Sequence, residues 1–323
     1  MAAGTPTRGL RTGDSLAHTA MIVRLINGAD MRCEEARLRV RLWLDRLPAF
    51  PFALQRLLGT IGAEPDEISL NDVAELVETD TLIAGKVLGV ANSSLYSRGH
   101  PVCSIRQAVV RLGVLRLRNV LLSLSVNRVW GGLVLRDDFP ILRFNRHALA
   151  TAILADLLAQ QLQLHRAETA FAAGLFHDVG QLVLVATFPD EYVSLLEQAS
   201  DGSELEQLEN EALSFSHAEI SAEATAHWNL PPEVQTAVRF HEHPIDEKRI
   251  ARLEPLTLRD AVHAADRCAT ALGMSIVDGS ADTAVEESLA PLGVPQEHIL
   301  EQFLRQMDAI DECERRSAPG SPS

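Results

Sequence analysis

Residues 171–181 read Phe171-Ala172-Ala173-Gly174-Leu175-Phe176-His177-Asp178-Val179-Gly180-Gln181, an apolar segment interrupted by one imidazole and one carboxylate. The segment predicts a buried helix, and a buried helix rarely carries two metal-competent side chains without using them. Neighbours on a helix lie about 100° apart, so His177 and Asp178 can face one cleft and bind one hard cation. The pair is therefore the first candidate for a functional site.

Further candidate ligands lie on other predicted helices. His147 precedes the pair in an Ala/Leu-rich segment, and His217, His241, His243 and Asp266 follow it. Along the chain these residues give the order His, His-Asp, His, His-x-His, Asp. The order predicts one site that several helices assemble.

Composition favours a helical protein. The 323 residues are 46% hydrophobic, which suffices for a large core in one extended domain or two lobes, and only 5% aromatic. Abundant Leu and Ala favour helix packing over a sheet. No apolar run reaches the roughly 18 residues that span a bilayer, and residues 1–28 contain no signal peptide. We therefore predict a cytoplasmic protein without membrane contact. Its four cysteines have no CxxC spacing, so we predict that they are reduced thiols.

Charge argues against nucleic acid as a partner. The net charge of −15 opposes capture by DNA, RNA or anionic lipid unless basic residues are strongly segregated. A basic stretch with Gly113 in a turn has the outline of a DNA-binding helix-turn-helix. Dense apolar residues over 109–124 leave little free face for a groove, so we interpret the stretch as a core hairpin with arginines at its rim. These arginines, which can still bind an acidic partner or a phosphate, are Arg106, Arg111, Arg116, Arg118 and Arg128.

Six short motifs occur along the chain. They are Leu47-Pro48-Ala49-Phe50-Pro51, Val90-Ala91-Asn92-Ser93-Ser94-Leu95-Tyr96, Ser104 to Gly113, His217-Ala218-Glu219, Trp228-Asn229-Leu230-Pro231 and Arg239-Phe240-His241. In this order they resemble the LPxLP, LxxANSxxY, SIxxAIxxLG, HAExG, WxLP and xxHH segments of the HDOD branch (HD-related output domains of bacterial signalling proteins) of the HD metal-phosphohydrolase superfamily. The resemblance covers about residues 42–270 and implies an all-α, two-lobed helical bundle with an HD-like second lobe.

The resemblance also implies a metal site. The residues implied to hold one divalent ion are His147, His177, Asp178 and Asp266. Asp178 would bridge to a second ion held by His217 and His241. Mixed imidazole and carboxylate ligands suit Fe, Mn, Ni, Zn or, less well, Mg, so one or two divalent ions are predicted without a choice of element.

Some of these residues have alternative roles. The family usually has two adjacent histidines where this chain has His241-Glu242-His243, so one ligand is either displaced or replaced by the Glu242 carboxylate. His177 and Asp178 can persist as a buried hydrogen-bonded pair in a relative that has lost catalysis. Ser216 can cap a helix that begins at His217. Asp266 can instead form an ion pair with Arg259 or Arg267 on a solvated face.

The chain divides into four predicted parts. They are a partly disordered N-terminal extension (1–40), an N-terminal helical lobe (41–135), the HD-like lobe (136–275) and a C-terminal helical extension with a disordered tail (276–323). The boundary between the lobes is placed in the polar, proline-containing connection at 131–140. Helices of the second lobe are predicted at 146–162, 167–177, 189–199, 204–213, 216–227, 231–240 and 256–271, and no strand is predicted.

Catalysis is the open question. Active cyclic-di-GMP phosphodiesterases of the HD-GYP type carry HDxGK, and here the lysine position is Gln181, which supplies no charge for a developing phosphate. The GYP element is also absent, whereas Gln after HDxG is usual in HDOD proteins, which resemble regulatory or scaffold modules. If the chain is an enzyme, Asp178 and Gln181 are the catalytic candidates.

The sequence therefore favours a bacterial signalling output module that acts through a protein partner, in a cyclic-di-GMP or two-component pathway, with a metal- or ligand-capable pocket. The alternative is a metal-dependent phosphohydrolase acting on a nucleotide or cyclic dinucleotide. No receiver, PAS, GGDEF or EAL segment is recognisable, so we expect the input to arrive in trans.

Overall fold

A computed structural model describes residues 33–47, 74, 77–78, 81–97, 99–130, 135–243, 254–277 and 284–317. Within these ranges the regular structure is helical and contains no strand, which confirms the all-α class. Short 3₁₀ turns occur at Ala167–Thr169 and Ala290–Leu292. The α-helices are α1 (Cys33–Leu44), α2 (Thr81–Ala91), α3 (Ile105–Leu112), α4 (Val114–Trp130), α5 (Ile141–Gln161), α6 (Ala170–Phe176), α7 (Val179–Thr187), α8 (Pro189–Gln198), α9 (Gly202–Leu213), α10 (His217–His227), α11 (Pro232–Arg239), α12 (Leu258–Ala271), α13 (Val285–Leu289) and α14 (Gln296–Ser317).

Helices α2, α3 and α4 pack against one another in the first lobe. Helix α3 starts at the cap Ser104 and ends at Gly113, whose φ of 77° is readily adopted by glycine and lets α4 follow directly. The predicted helix pair is therefore present, with its inner face buried. Two details differ from the sequence interpretation. Val110 and Leu115 are exposed rather than buried, and Arg118 is buried rather than at the rim.

The second lobe is built around α5, which packs against α6 and α12, while α7 packs on α10 and α10 on α11. Alternating Ala and Leu make α5 a strong helix former with a surface that neighbours can approach closely. It starts at Ile141, five residues before the predicted start and directly after Pro140, which has no N–H to donate to a preceding helical turn.

The segment around the His-Asp pair differs from the prediction. The pair was expected on a helix, with the helix predicted at 167–177 ending at His177. In the structure α6 ends at Phe176 and α7 begins at Val179, so His177 and Asp178 form the turn between two helices. Helix α7 was not predicted, because its run Leu182-Val183-Leu184-Val185 is buried on every side and shows no helical period. The turn frees the Asp178 carboxylate, which makes no capping hydrogen bond.

Helices at both ends contact the central bundle. Helix α1 runs through the predicted domain limit at residue 40 and packs against α7 and α10, where Arg37 pairs with Glu219 at 3.0 Å. Helix α14 packs on α5 and also on α2, so it contacts both lobes. The limits between the four parts remain predictions. The sequence also predicts helices at 17–27, 52–61 and 71–78. The first two, most of the third, and the LPxLP-like motif beyond Leu47 lie outside the described residues.

The span Ala167–Thr187 has the length and mean hydropathy, 1.4, that a membrane helix needs. Of its most apolar window, 94% is buried inside the protein, and the His-Asp turn interrupts it. The span therefore has the character of a core segment, while the cytoplasmic location stays a prediction.

Candidate metal centre

The six predicted ligands come together in the second lobe, although three helices and two inter-helix segments supply them. His147 lies in α5, His217 begins α10 and Asp266 lies in α12. His177 and Asp178 form the turn after α6, and His241 follows α11. All are buried, with at most 7% of any residue exposed.

His147, His177 and Asp266 form one half of the centre. The Nε2 atoms of His147 and His177 lie 3.1 Å apart. Asp266 Oδ1 lies 3.1 Å from the first of these atoms and 3.7 Å from the second. For metal bonds of about 2.1 Å, neighbouring ligand atoms lie about 3.0–3.4 Å apart, so the spacing suits a shared cation. Asp266 is buried against the histidines and therefore does not lie on a solvated face, as the alternative role in an ion pair required.

His217, His241 and Glu242 form the other half. The Nε2 atoms of His217 and His241 lie 3.4 Å apart, and Glu242 Oε1 lies 3.7 Å from each of them. His243 is exposed and packs against the ring of Phe240. Of the two alternatives for the His-x-His segment, the structure therefore favours the one in which the Glu242 carboxylate takes the place of the second histidine.

Asp178 connects the two halves. Its Oδ1 lies 3.3 Å from the Nε2 atoms of both His217 and His241, whereas Oδ2 lies 3.4 Å from His177 Nε2 and 3.6 Å from His147 Nε2. Each carboxylate oxygen thus faces one pair of histidines. Oδ1 is buried and has no hydrogen-bond partner, an arrangement that is costly unless a cation balances it.

The orientation of the four imidazoles decides what the centre can bind. Each Nδ1 is in contact with an oxygen that can only accept: Met274 O at 2.5 Å from His147, Gly174 O at 2.7 Å from His177, Val238 O at 2.7 Å from His241, and Glu209 Oε2 at 2.7 Å from His217. Each Nδ1 therefore carries a hydrogen, and in the neutral ring Nε2 offers a lone pair. Four lone pairs and a carboxylate then face one another, which is stable only when cations or protons lie between them.

Glu209 and Tyr192 complete the surroundings of His217, and sequence analysis missed both. Glu209 is fully buried and accepts from the backbone N–H of His217 at 2.7 Å as well as from its ring. The Tyr192 hydroxyl donates to the other carboxylate oxygen at 2.6 Å. A signal was present in the sequence, because Glu209 lies between Leu205 and Leu213 at four-residue spacing, on the inner face of α9.

Without metal, protons on His147, His217 and Glu242 compensate for the negative charge of the buried carboxylates. Burial opposes protonation of His147, but a hydrogen bond and the charge of Asp266 outweigh it and raise the pKa of His147 to about 9. Burial likewise opposes protonation of His217, yet Glu209 and Asp178 raise its pKa well above the usual value. Burial and the charge of Asp266 raise the pKa of Glu242 to about 7, against the opposing effect of the histidines. Positive charge is therefore favoured throughout the centre.

The charge balance fits two divalent cations. Four buried carboxylates, Asp178, Glu209, Glu242 and Asp266, give a charge of −4 when ionised, and neutral Nδ1–H imidazoles add none. Buried charge requires compensation, and two divalent ions would supply it. Imidazole nitrogens with carboxylate oxygens are the donor set of Fe, Mn, Ni and Zn sites. The residues present thus fit the ions that the sequence implied.

Two glycines allow the helices to come close enough for this arrangement. A Cβ on Gly174 would lie 2.7 Å from Ala152 Cα, and one on Gly180 would lie 2.1 Å from His217 O. Gly174 thus lets α6 approach α5, which brings His177 to His147. Gly180 lets α7 approach α10, where its N–H donates to Ser221 Oγ at 2.7 Å. Gln181 follows in the first turn of α7 and is buried, with no partner for its Oε1.

A family model described as the HDOD domain matches residues 47–244. The match covers more than half of the chain. This chain belongs to the HDOD family. The resemblance inferred from the motifs is confirmed, and the structure shows that α5 to α11 of this HDOD protein lie inside the matched segment.

Solved structures show the same fold. A Shewanella amazonensis SB2B protein, provisionally named a phosphohydrolase, is 24% identical with a TM-score of 0.64, covering 87% of this chain and 98% of that one. An HDOD domain protein of unknown function from Geobacter sulfurreducens is 20% identical with a TM-score of 0.62, covering 93% and 97%. A Marinobacter aquaeolei VT8 protein, provisionally named a signal transduction protein, is 24% identical with a TM-score of 0.61, covering 92% and 67%. At these identities the likeness establishes the fold.

A curated relative, an uncharacterized protein from Treponema pallidum (strain Nichols), is 29% identical over 203 residues. The alignment covers 62% of this chain and 38% of that protein. The HDOD chain thus spans well under half the length of the relative.

Proposed function

We propose that this HDOD protein is a signalling module that acts through a protein partner, and that its buried centre holds two divalent cations which fix the shape of the second lobe. The observation that carries the proposal is the set of four Nε2 atoms turned toward the Asp178 carboxylate, whose Oδ1 has no hydrogen-bond partner. Such a set needs positive charge between its members, and two divalent ions would supply it. The shape that they fix is what a partner would recognise.

Burial of the centre supports a structural role for the ions. At most 10% of the side chain is exposed at His147, Asp266 and Asp178. His177, His217 and His241 are fully buried. Structural metal sites are closed by protein ligands, whereas catalytic sites keep a position open for water and substrate. Gln181, where HD-GYP enzymes have a lysine, supplies no positive charge to a phosphate.

A metal-dependent phosphohydrolase acting on a nucleotide or cyclic dinucleotide is the second candidate. The complete donor set favours it, because Glu242 restores the ligand that His243 does not supply. Bound ions in such a centre lower the pKa of coordinated water and polarise a phosphoryl oxygen. Asp178 would then keep the two halves of the centre in their relative positions. Gln181 could only donate a hydrogen bond to the phosphate.

Metal analysis coupled to a hydrolysis assay tests the proposal. Protein purified without chelators should contain about two divalent ions per chain, show negligible turnover of cyclic di-GMP and simple nucleotide phosphates, and melt at lower temperature after chelation. His177→Ala should reduce the effect of the chelator, because it removes a ligand from one of the two halves of the centre. Absence of metal would overturn the proposal. Hydrolysis by the wild type that is lost in Asp178→Asn, with unchanged melting, would establish the second candidate instead.

A further inference from the structure

Charge is strongly segregated along this acidic chain. Residues 81–136 contain eight Lys or Arg and no Asp or Glu, whereas residues 167–238 contain 13 Asp or Glu and no Lys or Arg. The first range covers the α2–α4 lobe, and the second runs from the 3₁₀ turn before α6 to Val238, one residue before the end of α11. The basic residues are Lys86, Arg98, Arg106, Arg111, Arg116, Arg118, Arg128 and Arg136. The two ranges therefore give the molecule one basic and one acidic region.

The basic region has an apolar centre on its surface. On α3, Arg106 and Val110 lie four residues apart on the outer face, and Val110 is 71% exposed. Just beyond the Gly113 turn, Leu115 is 57% exposed and Arg116 is exposed beside it. Arg106 has no acidic partner among the described residues. We call these four side chains the basic face; it combines two exposed aliphatic groups with two arginines, a residue type enriched at interfaces.

The acidic region has a matching surface on α9. Leu205, Glu209 and Leu213 face inward. On one flank of the same helix, Glu204 and Glu211 are exposed and Leu208 between them is half-buried. Neither glutamate has a Lys or Arg partner in the part of the chain that the structure describes. We call Glu204, Leu208 and Glu211 the acidic face.

We infer that two copies of this protein associate, with the basic face of one on the acidic face of the other. Arg106 and Arg116 would meet Glu204 and Glu211, while Val110 and Leu115 would cover Leu208. Because every copy carries both faces, a two-fold arrangement would form the contact twice in one closed dimer. Opposite charge selects and orients the pair, and the apolar groups exclude water. The inference is independent of metal in the second lobe.

A duplex nucleic acid is the other class of partner that a basic face suggests. The exposed aliphatic side chains Val110 and Leu115 argue against it, because protein contacts to duplex DNA are mostly polar contacts to phosphates. A second copy is favoured because the complementary surface is present on the same chain.

Charge reversal provides the test. Sedimentation of the full chain at low salt should show a dimer. Raising the salt to about 1 M, where the screening length falls to about 3 Å, should weaken association by about tenfold or more. Arg106→Glu with Arg116→Glu makes both faces acidic, and Glu204→Lys with Glu211→Lys makes both basic. Each double variant alone should be monomeric, and a mixture of the two should regain the dimer.

Controls separate this interface from general charge effects. Arg305→Glu and Glu301→Lys make the same changes on α14, outside both faces, and should leave the dimer intact. Circular dichroism establishes that each variant is folded, and Val110→Ser with Leu115→Ser gives a second, charge-neutral disruption of the basic face. A monomeric wild type at low salt, with or without binding of duplex DNA, would overturn the inference. So would a dimer that survives both double variants, or mixed variants that stay monomeric.

Discussion

Glu209 accepts two hydrogen bonds from His217, one from its backbone N–H and one from its ring Nδ1–H, each at 2.7 Å. The other three histidines of the centre bind backbone carbonyls through Nδ1, so His217 alone is oriented by a charged side chain. A carboxylate in this place fixes the ring orientation and makes Nε2 a better ligand.

Loss of the Glu209 charge should therefore weaken ion binding at the half of the centre that contains His217. Glu209→Gln keeps the volume and an acceptor oxygen, and we expect metal affinity there to fall about 10–100-fold. Titration calorimetry of chelator-treated protein measures the change. Glu211→Gln, the same substitution at an exposed position of α9, is the control and should leave affinity unchanged. Equal affinity in both variants would contradict the role given to Glu209.

Gly180→Ala should destabilise the second lobe. A Cβ at residue 180 would lie 2.1 Å from His217 O, so α7 and α10 must separate and the packing between them is lost. We expect a loss of about 2–4 kcal/mol in the free energy of unfolding, measured by denaturant titration. Gly85→Ala makes the same change in α2, where nothing lies within 4 Å of the new methyl group. That variant should be as stable as wild type or about 0.5–1 kcal/mol more stable. A destabilised Gly85→Ala would contradict the steric explanation.

The dependence of stability on pH should have opposite signs with and without metal. His147 titrates near 6.5 when unfolded and near 9 in the metal-free fold, so its stabilising charge is fully present below pH 6.5 and is lost as the pH rises through 9. Metal requires neutral imidazole, so ion affinity rises with pH over the same range. Urea unfolding with chelator should give falling stability from pH 6.5 to 9, and unfolding with saturating Mn²⁺ should not. His147→Gln should flatten the metal-free curve. Identical slopes in both conditions would argue against ion binding by the histidines.

Thiol reactivity should distinguish two cysteines. Cys103 is exposed, whereas Cys268 is buried in α12, and burial raises its pKa to about 12. At pH 8 the thiolate fraction of Cys268 is thus on the order of one in 10,000, and the side chain is inaccessible. Iodoacetamide labelling followed by peptide mass spectrometry should modify Cys103 readily, and Cys268 only after denaturant is added. Comparable rates for both in the native protein would show that α12 opens easily.

The sequence predicted the ligands better than their local geometry. Buried histidines and aspartates are conspicuous in Ala/Leu segments, so His147, His177 and Asp178 can be found without a structure. The break between α6 and α7 depends on how α7 packs against α10, a tertiary contact that no local pattern records. The choice between Glu242 and His243 likewise depends on which side of the chain turns inward after α11.

Residues outside the family motifs were harder to predict. Glu209 and Tyr192 have no spacing relative to His217 that indicates a contact, because three separate helices bring them together. Val110 and Leu115 fit an apolar pattern, but the neighbouring elements do not cover them. Pattern analysis shows which side chains are apolar, and only packing shows which of them remain exposed.

The shared position of Asp178 gives the centre a particular vulnerability to mutation. A change at His217 or His241 removes a ligand from one histidine pair, and a change at His147 from the other. Substitution of Asp178 removes a ligand from both pairs at once. If the centre holds two ions as proposed, descendants of such a protein can lose one ion in a single step at several positions, and that intermediate keeps half of the centre. A substitution at residue 178 has no such intermediate, because it impairs both halves of the centre in one step.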